Sequence, residues 1–253
     1  MKILYVGDMY SSNSITYLKK LLPMLKEKYN YNLLMVNGEN ITHGRGLSKK
    51  HYKELMELNV SVISMGNHTF GQKEILDYID EVNNLCRPAN YNAPGKGYVT
   101  INYNGKKITV INLLGRVYFE MSLDNPFKVA KEIIQNVPSD YYIIDFHAEA
   151  TSEKIALGYY LDGIAHAVIG THTHVQTSDE RVLPNKTLYI SDIGMTGPLE
   201  GVIGVDRNVI ISRFVNGFSE PNKVATGKMQ FNAVLLDFTI LDKPKITRIH
   251  IEE

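Results

Sequence analysis

The chain has 253 residues, 44% of them hydrophobic, enough to bury a substantial core in one domain. Lys and Arg total 27, as do Asp and Glu, so the net charge is zero and no global field argues for a nucleic-acid or membrane surface. A single cysteine, Cys86, excludes an intrachain disulfide. With no apolar leader and no run near the ~20 apolar residues of a membrane span, the expected compartment is the cytosol.

The opening residues alternate strand and helix. Lys2–Val6 reads as a hydrophobic strand, and Ile15–Lys28 carries Leu18, Leu21, Leu22 and Leu25 at helical spacing. Leu33–Val36 is the next strand. Ser48 is placed to cap a helix running to about Leu58, with Tyr52, Leu55 and Met56 on its inner face. Val60–Ser64 is a third strand, and Gln72–Val82 reads as helix. Strands alternating with helices imply βαβ units and a parallel sheet.

Beyond this, Asn104-Gly105 between Tyr98–Tyr103 and Lys107–Leu113 is a type I′ hairpin signal. Pro126–Gln135 and Ser152–Tyr160 read as helices; Tyr141–Phe146, Ala165–Ile169 and Leu188–Ser191 read as strands. Near the C-terminus Val209–Phe214, Asn232–Thr239 and Ile246–Ile251 alternate as strands do. The expected fold is α/β, two packed sheets with helices outside, over one domain of residues 1–253.

Parallel sheets place ligands at the carboxyl ends of their strands. Here those ends carry oxygen and imidazole donors: Gly7-Asp8, Gly38-Glu39-Asn40, Gly66-Asn67-His68, Asp145-Phe146-His147 and Gly170-Thr171-His172-Thr173-His174. His172 and His174 are two apart, so in an extended segment both imidazoles face one side. Each residue also has a plain structural reading: Asp8 as a turn or helix cap, Glu39 and Asn40 as a polar turn, His68 and His147 as satisfied core histidines. His43 reads as a loop residue. The coincidence of five strand ends favours a two-metal hydrolase, in which the two carboxylate oxygens of Glu39 suit a bridge and the amides of Asn40 and Asn67 add neutral oxygens.

The pattern Asp, Gly-Asn-His, His, Gly-x-His-x-His is similar to the calcineurin-like metallophosphoesterases. Longer runs resemble the bacterial YmdB-like branch: Asn37-Gly38-Glu39-Asn40, Met65-Gly66-Asn67-His68-Thr69, the segment Asp145–Lys154, Gly170–Thr177, Arg87-Pro88-Ala89-Asn90, Pro94-Gly95-Lys96-Gly97 and Asp192–Pro198. The superfamily usually has Asp-x-His on its first strand and a bridging aspartate. Here Asp8-Met9-Tyr10 has no histidine, and Glu39 and Asn40 replace the bridge, as expected for the branch. The first loop departs from the branch, with Ser11-Ser12-Asn13-Ser14-Ile15 in place of glycines and an arginine.

The resemblance implies a metallophosphoesterase-type two-sheet β-sandwich flanked by helices, four layers deep (α/β/β/α). It implies one metal on Asp8, Glu39, Asn40 and His174 and another on Glu39, Asn67, His147 and His172, with iron favoured and manganese as a working substitute. Thiolate-free imidazole and carboxylate donors agree with such ions. Two divalent ions, two carboxylates and a bridging hydroxide leave about one net positive charge for a phosphodiester anion. The implied reaction is hydrolysis of a small cyclic nucleotide, 2′,3′-cAMP for example, by the bridging hydroxide, with His68 as proton donor. RNA ends are an alternative substrate, and homo-oligomers are common in such enzymes. The rival readings are a phosphomonoesterase or nucleotidase on the same metals, and a non-catalytic, metal-stabilised nucleotide-binding regulator.

Overall fold

A computed structural model describes residues 1–217 and 220–253. In chain order it runs β1 (Lys2–Val6), β2 (Asp8–Met9), α1 (Asn13–Tyr29), β3 (Leu33–Asn37), α2 (Lys49–Glu57), β4 (Val62–Ser64) and β5 (Leu85–Cys86). The middle comprises β6 (Tyr98–Tyr103), β7 (Lys106–Leu114), α3 (Pro126–Asn136), β8 (Tyr141–His147), α4 (Thr151–Tyr160) and β9 (Ala167–Thr171). It closes with β10 (Arg181–Val182), β11 (Leu188–Ile190), β12 (Met195–Pro198), α5 (Arg207–Asn216), β13 (Met229–Asp237) and β14 (Lys245–Glu252).

The strands form two sheets. The first has the order β2-β12-β13-β1-β3-β4-β5, with β14 added along β13; β1, β3, β4 and β5 are mutually parallel. The second runs β10-β11-β9-β8-β7-β6, and its centre, β7-β8-β9-β11, is again parallel.

Side-chain alternation sorts the core into three seams. From β1, Leu4 and Val6 face outward onto Leu18 and Leu25 of α1 and Leu55 of α2, while Ile3 and Tyr5 face inward onto Ile108, Val110, Ile143 and Ile169 of the second sheet. On the far side Ile111, Leu113, Ile144 and Phe146 pack on Ala130 of α3 and Leu157 of α4. Helices, sheet, sheet, helices are the four layers expected, because strands buried on both faces supply apolar residues at every position.

Local signals act as the residues suggest. Ser48 caps α2, its hydroxyl accepting from the His51 N–H. Asn104 and Gly105 turn the β6–β7 hairpin with φ of 50° and 75°. Two expectations fail. Gln72–Val82 is not a helix but a short 3-10 turn at Lys73–Asp77 followed by irregular chain. Val209–Phe214 is not a strand; it lies inside α5, which is started by the Asp206 carboxylate accepting from Asn208 N at 2.8 Å and stopped by Gly217 at φ 73°.

Candidate metal centre

The carboxyl ends of parallel strands from both sheets meet at one place. The first sheet delivers Asp8 on β2, Glu39 and Asn40 just after β3, and Asn67 just after β4. The second delivers His147, the last residue of β8, and His172 and His174 just after β9. Thus all the oxygen donors come from one sheet and all the imidazoles from the other.

The route by which His172 and His174 converge differs from the extended arrangement expected. β9 ends at Thr171, and His172 and His174 adopt φ of 101° and 66°. Left-handed backbone at a non-glycine residue is strained and is tolerated where surrounding contacts fix it. Here Asp192 does so: its Oδ2 accepts from Thr173 N at 3.0 Å and Thr173 Oγ1 at 2.8 Å.

His147 is the hub. Thr171 Oγ1 donates to Asp145 Oδ1 at 2.7 Å, so its lone pair is left to accept from His147 Nδ1 at 2.9 Å. The neutral ring therefore carries its hydrogen on Nδ1 and its lone pair on Nε2. Around that Nε2 stand Asn67 Oδ1 at 3.0 Å, Glu39 Oε1 at 3.1 Å and His172 Nδ1 at 3.1 Å. With the ring in that neutral tautomer the four atoms share no hydrogen, so their convergence calls for positive charge at the focus, from a proton or from a metal ion.

The other two histidines are oriented alike. His172 Nε2 faces Glu149 Oε2 at 3.1 Å, which leaves its Nδ1 turned toward His147. His174 Nδ1 donates to the Ile203 carbonyl at 2.9 Å, which turns Nε2 inward, 3.1 Å from the Asn40 amide. Asn40 also reaches Glu39 Oε1 at 3.0 Å. Asp8 is fully buried 3.8 Å from His147 Nδ1; one oxygen accepts from His172 N at 3.1 Å and the other, Oδ1, has no hydrogen-bond partner among the described residues. An orphaned buried carboxylate oxygen beside the ring of His147 fits a cation ligand. His68 borders the cluster, its backbone N–H donating to Glu39 Oε2 at 2.9 Å.

Protonation follows the same logic. Burial raises Asp8 to about 6 against the opposing pull of His147 and His174. Burial also disfavours a proton on His147, yet the carboxylates of Glu39 and Asp8 lift that ring to about 9. Glu39 is raised by burial but held well below the carboxylate range by the charge and hydrogen bond of His147. His172 is driven down to about 3, first by burial and then by the charge of His147. The cluster thus gathers one proton at the focus where a divalent ion would replace it. Burial lowers His68, with Arg45 acting in the same direction and Glu39 against it.

All seven expected donors and His68 are therefore in one connected cluster, and His43 is exposed on a turn outside it. Gly95–Gly97 stands apart as well, its Lys96 donating to Asn83 Oδ1 at 2.6 Å. The Glu149–Lys154 run reads from sequence as a helix start that supports His147, whereas Glu149 stands on His172; two supporting residues, Ile203 and Asp145, carry no assignment from sequence. Fully buried Asp145 accepts from Thr171 on one oxygen, and on the other from Asn37 Nδ2 at 3.0 Å and from Ser64. It ties the two sheets together directly behind the ligands. A lone carboxylate inside the apolar strand Tyr141–Phe146 was the available signal.

Comparison with known proteins agrees with this geometry. The family described as YmdB-like protein matches residues 4–250. A Bacillus subtilis protein named 2′,3′-cyclic-nucleotide 2′-phosphodiesterase is 48% identical over 259 aligned residues, covering 100% of this chain and 98% of that protein. The crystal structure of a phosphatase from Mycoplasma pneumoniae superposes with TM-score 0.94 at 40% identity, over 100% of this chain and 94% of the other. A hypothetical protein from Thermus thermophilus does so with TM-score 0.94 at 37% identity, over 100% of both chains.

Proposed function

Because the chain belongs to the YmdB-like family, we propose that it hydrolyses 2′,3′-cyclic nucleotides at a two-metal centre within one catalytic domain. It is a phosphoesterase, a hydrolase acting on phosphodiesters. The observation that carries the finer reading is the convergence of the Glu39 and Asn67 oxygens with the inward nitrogens of His147 and His172. Asp8, Glu39, Asn40 and His174 would hold one ion, and Glu39, Asn67, His147 and His172 the other. A donor set of imidazole, carboxylate and amide without thiolate suits iron, with manganese able to replace it.

Bound divalent ions at such a site lower the pKa of water, orient the phosphate and offset its charge in the transition state. The chain's own contribution is positioning and proton transfer. Thr171, Glu149 and the Ile203 carbonyl fix which nitrogen each imidazole presents. His68 protonates the departing ribose oxygen. Burial and the Arg45 charge weaken its hold on a proton, and the Glu39 carboxylate acts against them. The proposed setting is the cytoplasm, in keeping with the single buried thiol of Cys86. Among the described residues no helix is long and apolar enough to cross a membrane.

The test is metal content together with 2′,3′-cAMP hydrolysis, for the wild type and Glu39→Gln. About two ions per chain with turnover, both reduced in the variant, is the expected result for a bridging carboxylate. A wild-type protein purified without chelator that binds no transition metal and cleaves no phosphodiester would sink the reading. Faster cleavage of p-nitrophenyl phosphate than of bis-p-nitrophenyl phosphate would make it a monoesterase instead.

A further inference from the structure

The segment that leaves β7 passes beside the candidate metal centre, and the chain fastens it there by its backbone. Gly115 N donates to the His147 carbonyl at 3.0 Å. The Glu153 carboxylate accepts from Arg116 N at 2.9 Å and from Val117 N at 3.3 Å. A Cβ at Gly115 would stand 2.6 Å from Ala148 Cβ and 2.7 Å from Glu153 Oε2, so only glycine permits this close approach.

What the fastened loop displays is aromatic. The Phe119 ring lies 5.0 Å from the His172 ring, centroid to centroid, tilted by 44°. Next to it Tyr118 stands 84% exposed with φ at 66°. One exposed ring is ordinary on a protein surface. A ring held out on left-handed backbone, beside a second ring packed on a candidate metal ligand, is a built arrangement.

We propose that Phe119 and Tyr118 form the stacking platform for the nucleobase, and that they give the enzyme a preference for purine over pyrimidine 2′,3′-cyclic nucleotides. The inference rests on the cyclic-nucleotide reading above and adds the residues that select the base. In such a substrate the phosphate bridges two ribose oxygens and the base leaves the far side of the same sugar. A phosphate at the cluster therefore carries its base about one furanose ring away, and Phe119 lies one imidazole away from the cluster. Phe119 offers a π-face and no hydrogen-bonding group, so selection follows stacking area and tolerates different purines.

The experiment is steady-state kinetics of the metal-loaded wild type, Phe119→Ala, Tyr118→Ala and Phe119→Trp. The substrates are 2′,3′-cAMP, 2′,3′-cCMP and ribose 2′,3′-cyclic phosphate, which has no base. The ratio of kcat/KM for 2′,3′-cAMP to that for the baseless compound falls about 5- to 100-fold in the alanine variants, through KM, and persists in Phe119→Trp. The purine preference falls with it. Equal losses on both substrates would overturn the proposal, since Phe119 would then act only by packing on His172. A preference that ignores both alanine variants but disappears in Arg248→Ala, in the cleft lined by His174, Asn232 and His250, would overturn it too. Failure of the underlying reading looks different: the wild type itself then turns over none of the three compounds.

Discussion

Lys154 and Asp192 meet at 2.7 Å with side-chain exposures of 3% and 1%. Asp192 accepts at the same time from the Thr173 backbone and hydroxyl, so this buried pair stands beneath the strained turn that carries His172 and His174.

Lys154→Met leaves Asp192 buried without its cation. Breaking a buried pair on one side costs about 3–5 kcal/mol. Urea unfolding followed by circular dichroism will show that loss, and metal titration will show weaker binding at the His172–His174 turn. A variant as stable as the wild type would mean that the pair contributes nothing net.

Thr171→Val keeps the shape of the β9 end and removes the hydroxyl between Asp145 and His147. His147 then loses the partner that holds its hydrogen on Nδ1. Metal affinity drops by about 10–100-fold, the usual effect of removing a group that orients a ligand. Isothermal titration with manganese measures it, and unchanged affinity would refute the role given to Thr171.

Gly66→Ala places a methyl group 2.6 Å from His147 Nε2 and closer still to Glu39 Oε2. Neither partner can withdraw, since both are buried and held by neighbours. The expected outcome is a folded chain, verified by its circular dichroism spectrum, with metal content and turnover at background. Retention of bound metal would show that the ligand cluster can shift as a body.

His166 lies far from the metal centre, against Tyr141 at 4.8 Å, with its Nδ1 accepting from Tyr142 N at 3.2 Å. Burial lowers its pKa, with Asp140 acting in the opposite sense. A histidine with a depressed folded pKa is fully stabilising above its unfolded value of about 6.5, and that stability is lost as the pH falls below it. His166→Asn retains an acceptor for Tyr142 N but no titrating ring. The gap in urea midpoint between about pH 7.5 and about pH 5.5 should narrow in this variant. An equal gap would leave the acid sensitivity to other groups, His51 among them.

The layers of the fold are legible because strands buried on both faces read as apolar runs, and Lys2–Val6 and Tyr141–Phe146 do so plainly. α5 reads as a strand because of its β-branched and aromatic run, whereas Ile211, Phe214 and Val215 are exposed on a helix that only Asp206 and Gly217 define. Capping residues outweigh periodicity there. β12 gives no signal because Met195–Pro198 contains Gly and Pro and gains its order by pairing with β13 and β2, partners distant in sequence. In the candidate site, residue types at strand ends announce every donor brought together. The left-handed turns at His172 and His174 have no sequence signal, since neither position is a glycine. Asp145 stands out as a carboxylate in an apolar strand, but its role is hidden, because its partners Asn37, Ser64 and Thr171 come from three other strands.

The division of donors between the sheets has a consequence for how the chain comes together. Every candidate oxygen lies between Asp8 and Asn67, and every candidate imidazole between His147 and His174. A growing chain that ends before β8 owns these carboxylates and amides but none of the three candidate imidazole ligands, and its first sheet still awaits β12, β13 and β14. Capture of an ion at this centre would then belong to the end of assembly, after the layers have docked, and would clasp one half of the molecule onto the other.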